Sequence, residues 1–348
     1  MAFHQLGAAM KIAHHLATAL LVCAVSSAQA QPAPGYRLVK TVAIGAPDRW
    51  DYVVYDDGRA YIAHADVLTV VDVASGTVAG TLQVGGTTHG FAAVPALGKG
   101  YTDDGKAGVA VAFDLKTLKE LRRIKVQPDA DGIVYDPASG HLLVITGDSG
   151  KVSVIDPKTD TVIATIDGGG PLEFGVLGGN GKFYVDGEEK NEIVRMDLAT
   201  NTADAHWPLT GCKTPHGLAM DRAHMVLFAS CGSGVMDVVS ARDGKVIATL
   251  PIGQGSDFAV FDAARGLAFS SNRDGTASIV TQQNGKYVAL APVSTLRGAR
   301  TMSLDPKSGR LYFVASDVTV NEAVPADDRG RYKVTPGTAK LMMFDPVP

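Results

Sequence analysis

Short apolar runs rich in Val, Ile, Thr and Tyr fill this chain, separated by clusters of Gly, Asp, Pro and Ser. Branched and aromatic side chains suit a pleated, half-buried surface, and the intervening residues suit tight reversals, so the runs predict strands joined by short turns. The pattern "apolar run, Asp or Gly turn, apolar run" then recurs. Indexed on its second run, it falls at Tyr61, Tyr101, Leu143, Tyr184, Leu227, Ala268 and Tyr312, in steps of 40, 42, 41, 43, 41 and 44 residues. A period near 42 built only from strands predicts an all-β fold, a seven-bladed β-propeller with four-stranded antiparallel blades.

The third unit shows the plan. Gly132–Tyr135 is the predicted first strand (A), His141–Thr146 the second (B), Lys151–Ile155 the third (C) and Thr161–Ile166 the fourth (D), with turns at residues 136–140, 147–150 and 156–160. The third strand recurs as Leu68–Asp72, Val109–Asp114, Val152–Asp156, Ile193–Asp197 and finally Leu341–Asp345, after which the chain has no fourth strand. Tyr36–Ile44 has the pattern of the fourth strands Val162–Ile166 and Val246–Ile252, so this N-terminal strand is expected to close the seventh blade and remove an open sheet edge. One connection breaks the period. The seventh B–C loop, about 317–339, is far longer than its counterparts and carries Pro325, Asp327, Asp328, Arg329, Arg331, Tyr332 and Pro336; a loop of that length is expected to be functional or disordered.

Residues 1–30 read as a secretory signal peptide. Lys11 precedes an apolar stretch over Ile12–Val25, and Ser27-Ala28-Gln29-Ala30 offers small residues for cleavage after Ala30. Met10 is an alternative start, and the stretch is too short for a spanning helix. A lipid-modified Cys23 is the rival, disfavoured by Val22 before it. Residues 31–348 are then one propeller domain in the periplasm or outside the cell, expected to be a monomer. Loss of Lys11 takes 32 cations to 31 against 36 acids, from −4 to −5. That balance argues against a nucleic-acid partner or an anionic membrane surface, both of which need a basic footprint. Two cysteines of the exported chain, Cys212 and Cys231, are expected to form one disulfide. It would pin the segment holding His216.

In a propeller the residues just entering strand A ring the mouth of the central channel. Here they are Asp51, His89, Asp131, Glu173, His216, Asp257 and Arg300, next to Trp50. The B–C loops add a second ring: His64 and Asp66, Asp103 and Lys106, Asp148, residues 188–190, and residues 272–274. Two imidazoles and four carboxylates around one opening are more than turn formation asks for, and they make this mouth the candidate binding site for a small molecule or a protein partner. His89, Glu173 and His216 are candidate ligands for a divalent metal ion. A carboxylate beside a histidine could serve as general acid or base, and Arg300 could hold an anionic group. No nucleophile motif such as G-x-S-x-G is present. Three readings stay open: a binding protein, an acid–base or metal-assisted lyase or hydrolase, and a protein-interaction scaffold.

Cys212-Lys213-Thr214-Pro215-His216-Gly217-Leu218-Ala219-Met220-Asp221, residues Gly298–Pro306 and Ile133-Val134-Tyr135-Asp136-Pro137 resemble the YVTN/YncE-like seven-bladed propellers, which are exported bacterial proteins. The similarity runs from about Tyr36 to the end. The family's tetrapeptide is degenerate here, as Lys182-Phe183-Tyr184-Val185 and Arg310-Leu311-Tyr312-Phe313. The resemblance implies the fold and the exported setting, and a role in binding or in lyase- or lactonase-like chemistry. It brings no catalytic set to these positions. His216 departs from the small or polar residue that many relatives carry after the Pro, which makes it a candidate specialisation.

Overall fold

The computed structural model describes residues 1–2, 35–325 and 329–347. The expected signal peptide, its cleavage site and Cys23 lie outside the described residues, as do Asp327 and Asp328. Ala33–Pro348 forms one compact unit. Seven four-stranded antiparallel sheets make it up, each ordered A-B-C-D by sequence in the first six blades. Strands A to D of blade four, for example, are Leu172–Leu177, Lys182–Gly187, Glu192–Asp197 and Thr202–Pro208. The seventh blade joins Thr301–Leu304, Leu311–Ala315 and Lys340–Val347 to Gly35–Ala43. The N-terminal strand therefore closes the last blade, pairing Gly35 with Val347 and Ala43 with Lys340. The ring is sealed between blades seven and one, where Thr301 Oγ1 donates to the Asp51 carbonyl at 2.8 Å and Tyr55 N–H donates to Ser303 Oγ at 2.9 Å.

Alternation along each strand puts one set of side chains on each blade face, and facing sets from neighbouring blades make the core. Apolar clusters accordingly lie between blades. Leu143, Ile145, Phe183 and Val194 join blades three and four, and Tyr61, Leu68, Phe91 and Phe113 join blades one and two. The innermost strands come close enough that side chains there are restricted. A Cβ on Gly217 would lie 2.5 Å from the Phe258 carbonyl carbon, and one on Gly90 2.8 Å from the Ile133 nitrogen. Glycine is what lets these strands approach.

Aromatic side chains fill the space the glycines leave. Tyr52, Phe174 and Phe258, from blades one, four and six, meet with ring centroids 4.4–5.3 Å apart. Strands of three non-adjacent blades can bring rings together only at the channel axis, so this trio forms a floor beneath the mouth.

The long seventh connection carries backbone pairing of its own. Val318–Val320 pairs with Tyr332–Val334 as a two-stranded ribbon. Asp48 accepts the backbone N–H groups of Thr338 at 3.1 Å and Ala339 at 3.3 Å, and Lys340 Nζ donates to Asp317 at 2.6 Å. Among the described residues no helix is long and apolar enough to cross a membrane.

Candidate functional site

The mouth residues are aimed by irregularities in strand A. In blades three, four, five and six the A–B register shifts between Ala130 and Gly132, Leu172 and Gly175, Pro215 and Gly217, and Ser256 and Phe258. Asp131, Glu173, His216 and Asp257 are the extra residues at these bulges. A bulge residue leaves the ladder and re-aims its side chain. Asp51, His89 and Arg300 stand just ahead of strands Val53–Asp56, Phe91–Val94 and Thr301–Leu304.

These positions border a cavity of about 560 Å3, lined among others by Asp51, His89, Asp131, Glu173 and Arg300. Val318, Tyr332 and Val334 of the ribbon also line it, so the long seventh connection forms part of its wall. Glu188 and Asp148 come from B–C loops, as expected, while His64 does not reach the mouth. It is buried, with Nδ1 3.1 Å from Thr69 Oγ1, because it still belongs to strand Arg59–His64.

The expected ring resolves into three clusters. In the first, Asp103 accepts Nδ1 of His89 at 2.7 Å together with the backbone N–H groups of His89 at 3.1 Å and Gly90 at 2.7 Å. Asp131 lies 3.8 Å from the same imidazole nitrogen. Burial alone would lower the His89 pKa, but the Asp103 charge and hydrogen bond, with Asp131 and Asp51 behind them, raise it to about 10.

The second cluster sets two guanidiniums against two carboxylates. Asp257 is buried, and it receives Arg273 Nη2 at 3.0 Å and Arg300 Nη1. Burial works against its charge, yet the two guanidiniums hold its carboxyl well below the usual carboxylate range. Arg300 also donates to the Trp50 carbonyl at 2.7 Å and to Asp51 at 3.3 Å. Expected as a ring residue facing the ligand, Asp257 instead lies under the arginines. Arg300, expected to hold an anionic group, is committed to protein partners.

The third cluster surrounds His216. Its Nδ1 is 3.4 Å from Glu173 Oε1 and its Nε2 is 3.7 Å from Glu188 Oε1. Burial would lower the His216 pKa; Glu173, Asp257 and Glu188 outweigh it and raise the value to about 9. Single ligand atoms from Glu173, Glu188 and His216 all fall within 4.8 Å of one another. The metal-ligand set read from the sequence, His89 with Glu173 and His216, is therefore not the one the fold assembles. His89 turns to Asp103, and Glu188 takes the third place. Behind this cluster lies Asp186, fully buried, with no hydrogen-bond partner on either oxygen among the described residues. Burial pushes its carboxyl well above the usual range, and the charges it feels are those of His216 and Glu173. Burial likewise raises Asp131, helped by Glu173, and raises Glu173 against the pull of His216.

Cys212 and Cys231 form the expected disulfide, with Cα atoms 5.5 Å apart. It ties the loop before strand Pro215–Asp221 to the end of strand Val226–Cys231 and so fixes the approach to His216. Asp103 and Asp186 are the residues that sequence reasoning missed as site members: Asp103 was assigned to the outer ring, and Asp186 not at all. Each is the fifth residue of a B strand, opposite the mouth position of its own blade. A carboxylate there, where other blades have Ala63, Ile145, Ser230, Ser271 or Val314, was the available signal.

No family model matches the chain, and no curated protein does. Among solved structures, hydrazine synthase of Kuenenia stuttgartiensis is similar with a TM-score of 0.67 at 13% identity, over 78% of this chain and 94% of that one. A likeness at that identity concerns architecture, and it supports the chain being a β-propeller.

Proposed function

We propose that this protein is an exported propeller of the YVTN/YncE-like type that binds a small, net-cationic ligand in its mouth cavity. One observation carries the reading: the charge on the cavity wall. Seven carboxyl groups line it (Asp48, Asp51, Asp129, Asp131, Asp148, Glu173 and Glu188) against three guanidiniums, those of Arg49, Arg273 and Arg300, and the imidazole of His89. Arg273 and Arg300 already meet Asp257 and His89 already meets Asp103, so the uncompensated charge is negative and sits on blades three and four. A concave, low-dielectric wall of one sign concentrates the opposite sign. The disulfide fits an oxidising compartment, and the leader-like N-terminus supports the same setting.

The test is a calorimetric and thermal-shift panel of small amines and metal ions against phosphate and citrate, on wild type, Asp131→Asn and Glu173→Gln. Cationic probes should bind, and each substitution should weaken them about tenfold, the loss of one charge-assisted contact. Preferential binding of the anions would refute the proposal.

A second reading, acid–base catalysis at the same mouth, is favoured by one arrangement. Asp131 and Glu173 are carboxyls whose pKa burial raises, and each stands beside an imidazole held in its charged form. Such neighbours can donate and take back a proton, as a lyase or lactonase requires. Turnover of lactone or hydroxy-acid substrates that disappears in Glu173→Gln would favour this reading over binding alone.

A further inference from the structure

We propose that Glu173, Glu188 and His216 form a binding site for one divalent first-row metal ion of the zinc or manganese class, with Asp186 as the buried carboxyl behind it. This deepens the cationic-ligand reading and rests on it.

Two independent features lead there. The first is geometry. Ligand atoms of the three residues already lie within 4.8 Å of one another, and Nδ1 of His216 is 3.4 Å from Glu173 Oε1. Bonds of 2.0–2.1 Å in a tetrahedral site set ligand–ligand edges of roughly 3.3 Å. The Glu173–His216 pair thus has the spacing of two ligands to one ion. It makes a poor hydrogen bond, and Nδ1 is buried without a hydrogen-bond partner among the described residues.

The second is Asp186. In blade two the equivalent Asp103 accepts three N–H groups. In blade four the register runs from Leu172 opposite Gly187 directly to Gly175 opposite Val185. Asp186 therefore stands against two bulged residues, Glu173 and Phe174, and no backbone donor reaches it. A buried carboxyl with both oxygens unpartnered is costly and uncommon in a folded protein. The charges it feels are those of His216 and Glu173, two of the three proposed ligands.

The donor set points to the class of ion. An imidazole with two carboxylates suits zinc or manganese better than calcium or magnesium, which prefer all-oxygen sites. Glu173 and Glu188 also line the cavity, so the ion would keep a face open to a second ligand.

The experiment is calorimetric titration of the chelator-stripped full-length mature protein with zinc, manganese and calcium chlorides, with elemental analysis of the loaded protein. One equivalent of zinc or manganese should bind, at least tenfold tighter than calcium. His216→Ala and Glu188→Gln should each weaken it tenfold or more, whereas His224→Ala, an exposed histidine far from the mouth, should bind as wild type. Glu188 is partly exposed, so its substitution should leave the fold intact if His216→Ala does not. No stoichiometric uptake, or uptake unchanged in Glu188→Gln, would overturn the site. Putrescine and choline, titrated in parallel, separate the two levels. Amine binding without metal uptake rejects the ion site and leaves the cationic-ligand reading standing, and loss of both rejects both.

Discussion

At His89 two opposing effects meet, and a single carboxylate decides between them. Burial favours the neutral ring, but Asp103 lies 2.7 Å away and holds the proton on. His216 repeats the arrangement with Glu173 and Glu188. Both pKa values are raised on folding, from 6.5 to about 10 and about 9. Their stabilising contribution is therefore complete below about pH 6.5 and is lost as pH climbs through 9 to 10. Ionisation of the buried carboxyls Asp131 and Glu173 works in the same direction. The melting temperature of the metal-free protein should thus fall between pH 6.5 and 10, measurable by scanning calorimetry across that range. In Asp103→Asn the fold should lose roughly 3 kcal/mol at pH 6, as when one partner of a buried pair is removed, and much of the slope with pH should vanish. A flat profile in wild type would contradict the assignment of a charged His89. At this scale the sequence was informative about which residues surround the mouth, since each follows the repeat. It was silent about whom they touch. Asp103 and Asp186 sit one strand away, and whether such a carboxylate meets an imidazole or nothing depends on the width of a bulge.

The bulges themselves are the elements that build the site. Regular alternation would place Asp131, Glu173, His216 and Asp257 in the ladder; one extra residue in each A strand turns them out of it. The following position is Gly in blades two, three and five and aromatic in blades one, four and six. Small and large residues thus share the crowded axis. Gly217→Ala should put a methyl group against the Phe258 backbone and cost roughly 1–3 kcal/mol in urea unfolding. A neutral result would mean that the inner strands are free to separate. The Cys212–Cys231 bridge closes a 19-residue separation beside His216. Replacing both cysteines by Ser should lower stability by about 3 kcal/mol on the loop-closure argument and loosen ligand or metal binding at His216 more than at His89. Proteolysis within residues 209–214 in the double variant would report that loosening directly. The ribbon of Val318–Val320 and Tyr332–Val334 was legible only as an overlong loop. Its pairing is local, Val318 with Val334, but the hold of Thr338 beside it on Asp48 is a contact across nearly the whole chain length.

On the scale of the whole molecule, closure by Gly35–Ala43 is the feature on which the other blades depend. Deleting residues 35–43 should expose strand Lys340–Val347 as a bare edge and yield aggregating protein by light scattering. A monomeric variant with unchanged melting would show that the ring holds without it. The architecture was almost fully readable beforehand, because a 42-residue period constrains every blade at once. Even the closing strand announced itself, since Tyr36–Ile44 has the pattern of the fourth strands Val162–Ile166 and Val246–Ile252. The site was readable only in outline, because irregular backbone, rather than period, sets its contacts. The aromatic floor of Tyr52, Phe174 and Phe258 has a further consequence. It makes the central passage a cup rather than a tube, so whatever enters must leave by the same door. Traffic in both directions then crosses the threshold under Tyr332. Substitutions there should speed or slow arrival and departure together, leaving the equilibrium between them nearly untouched.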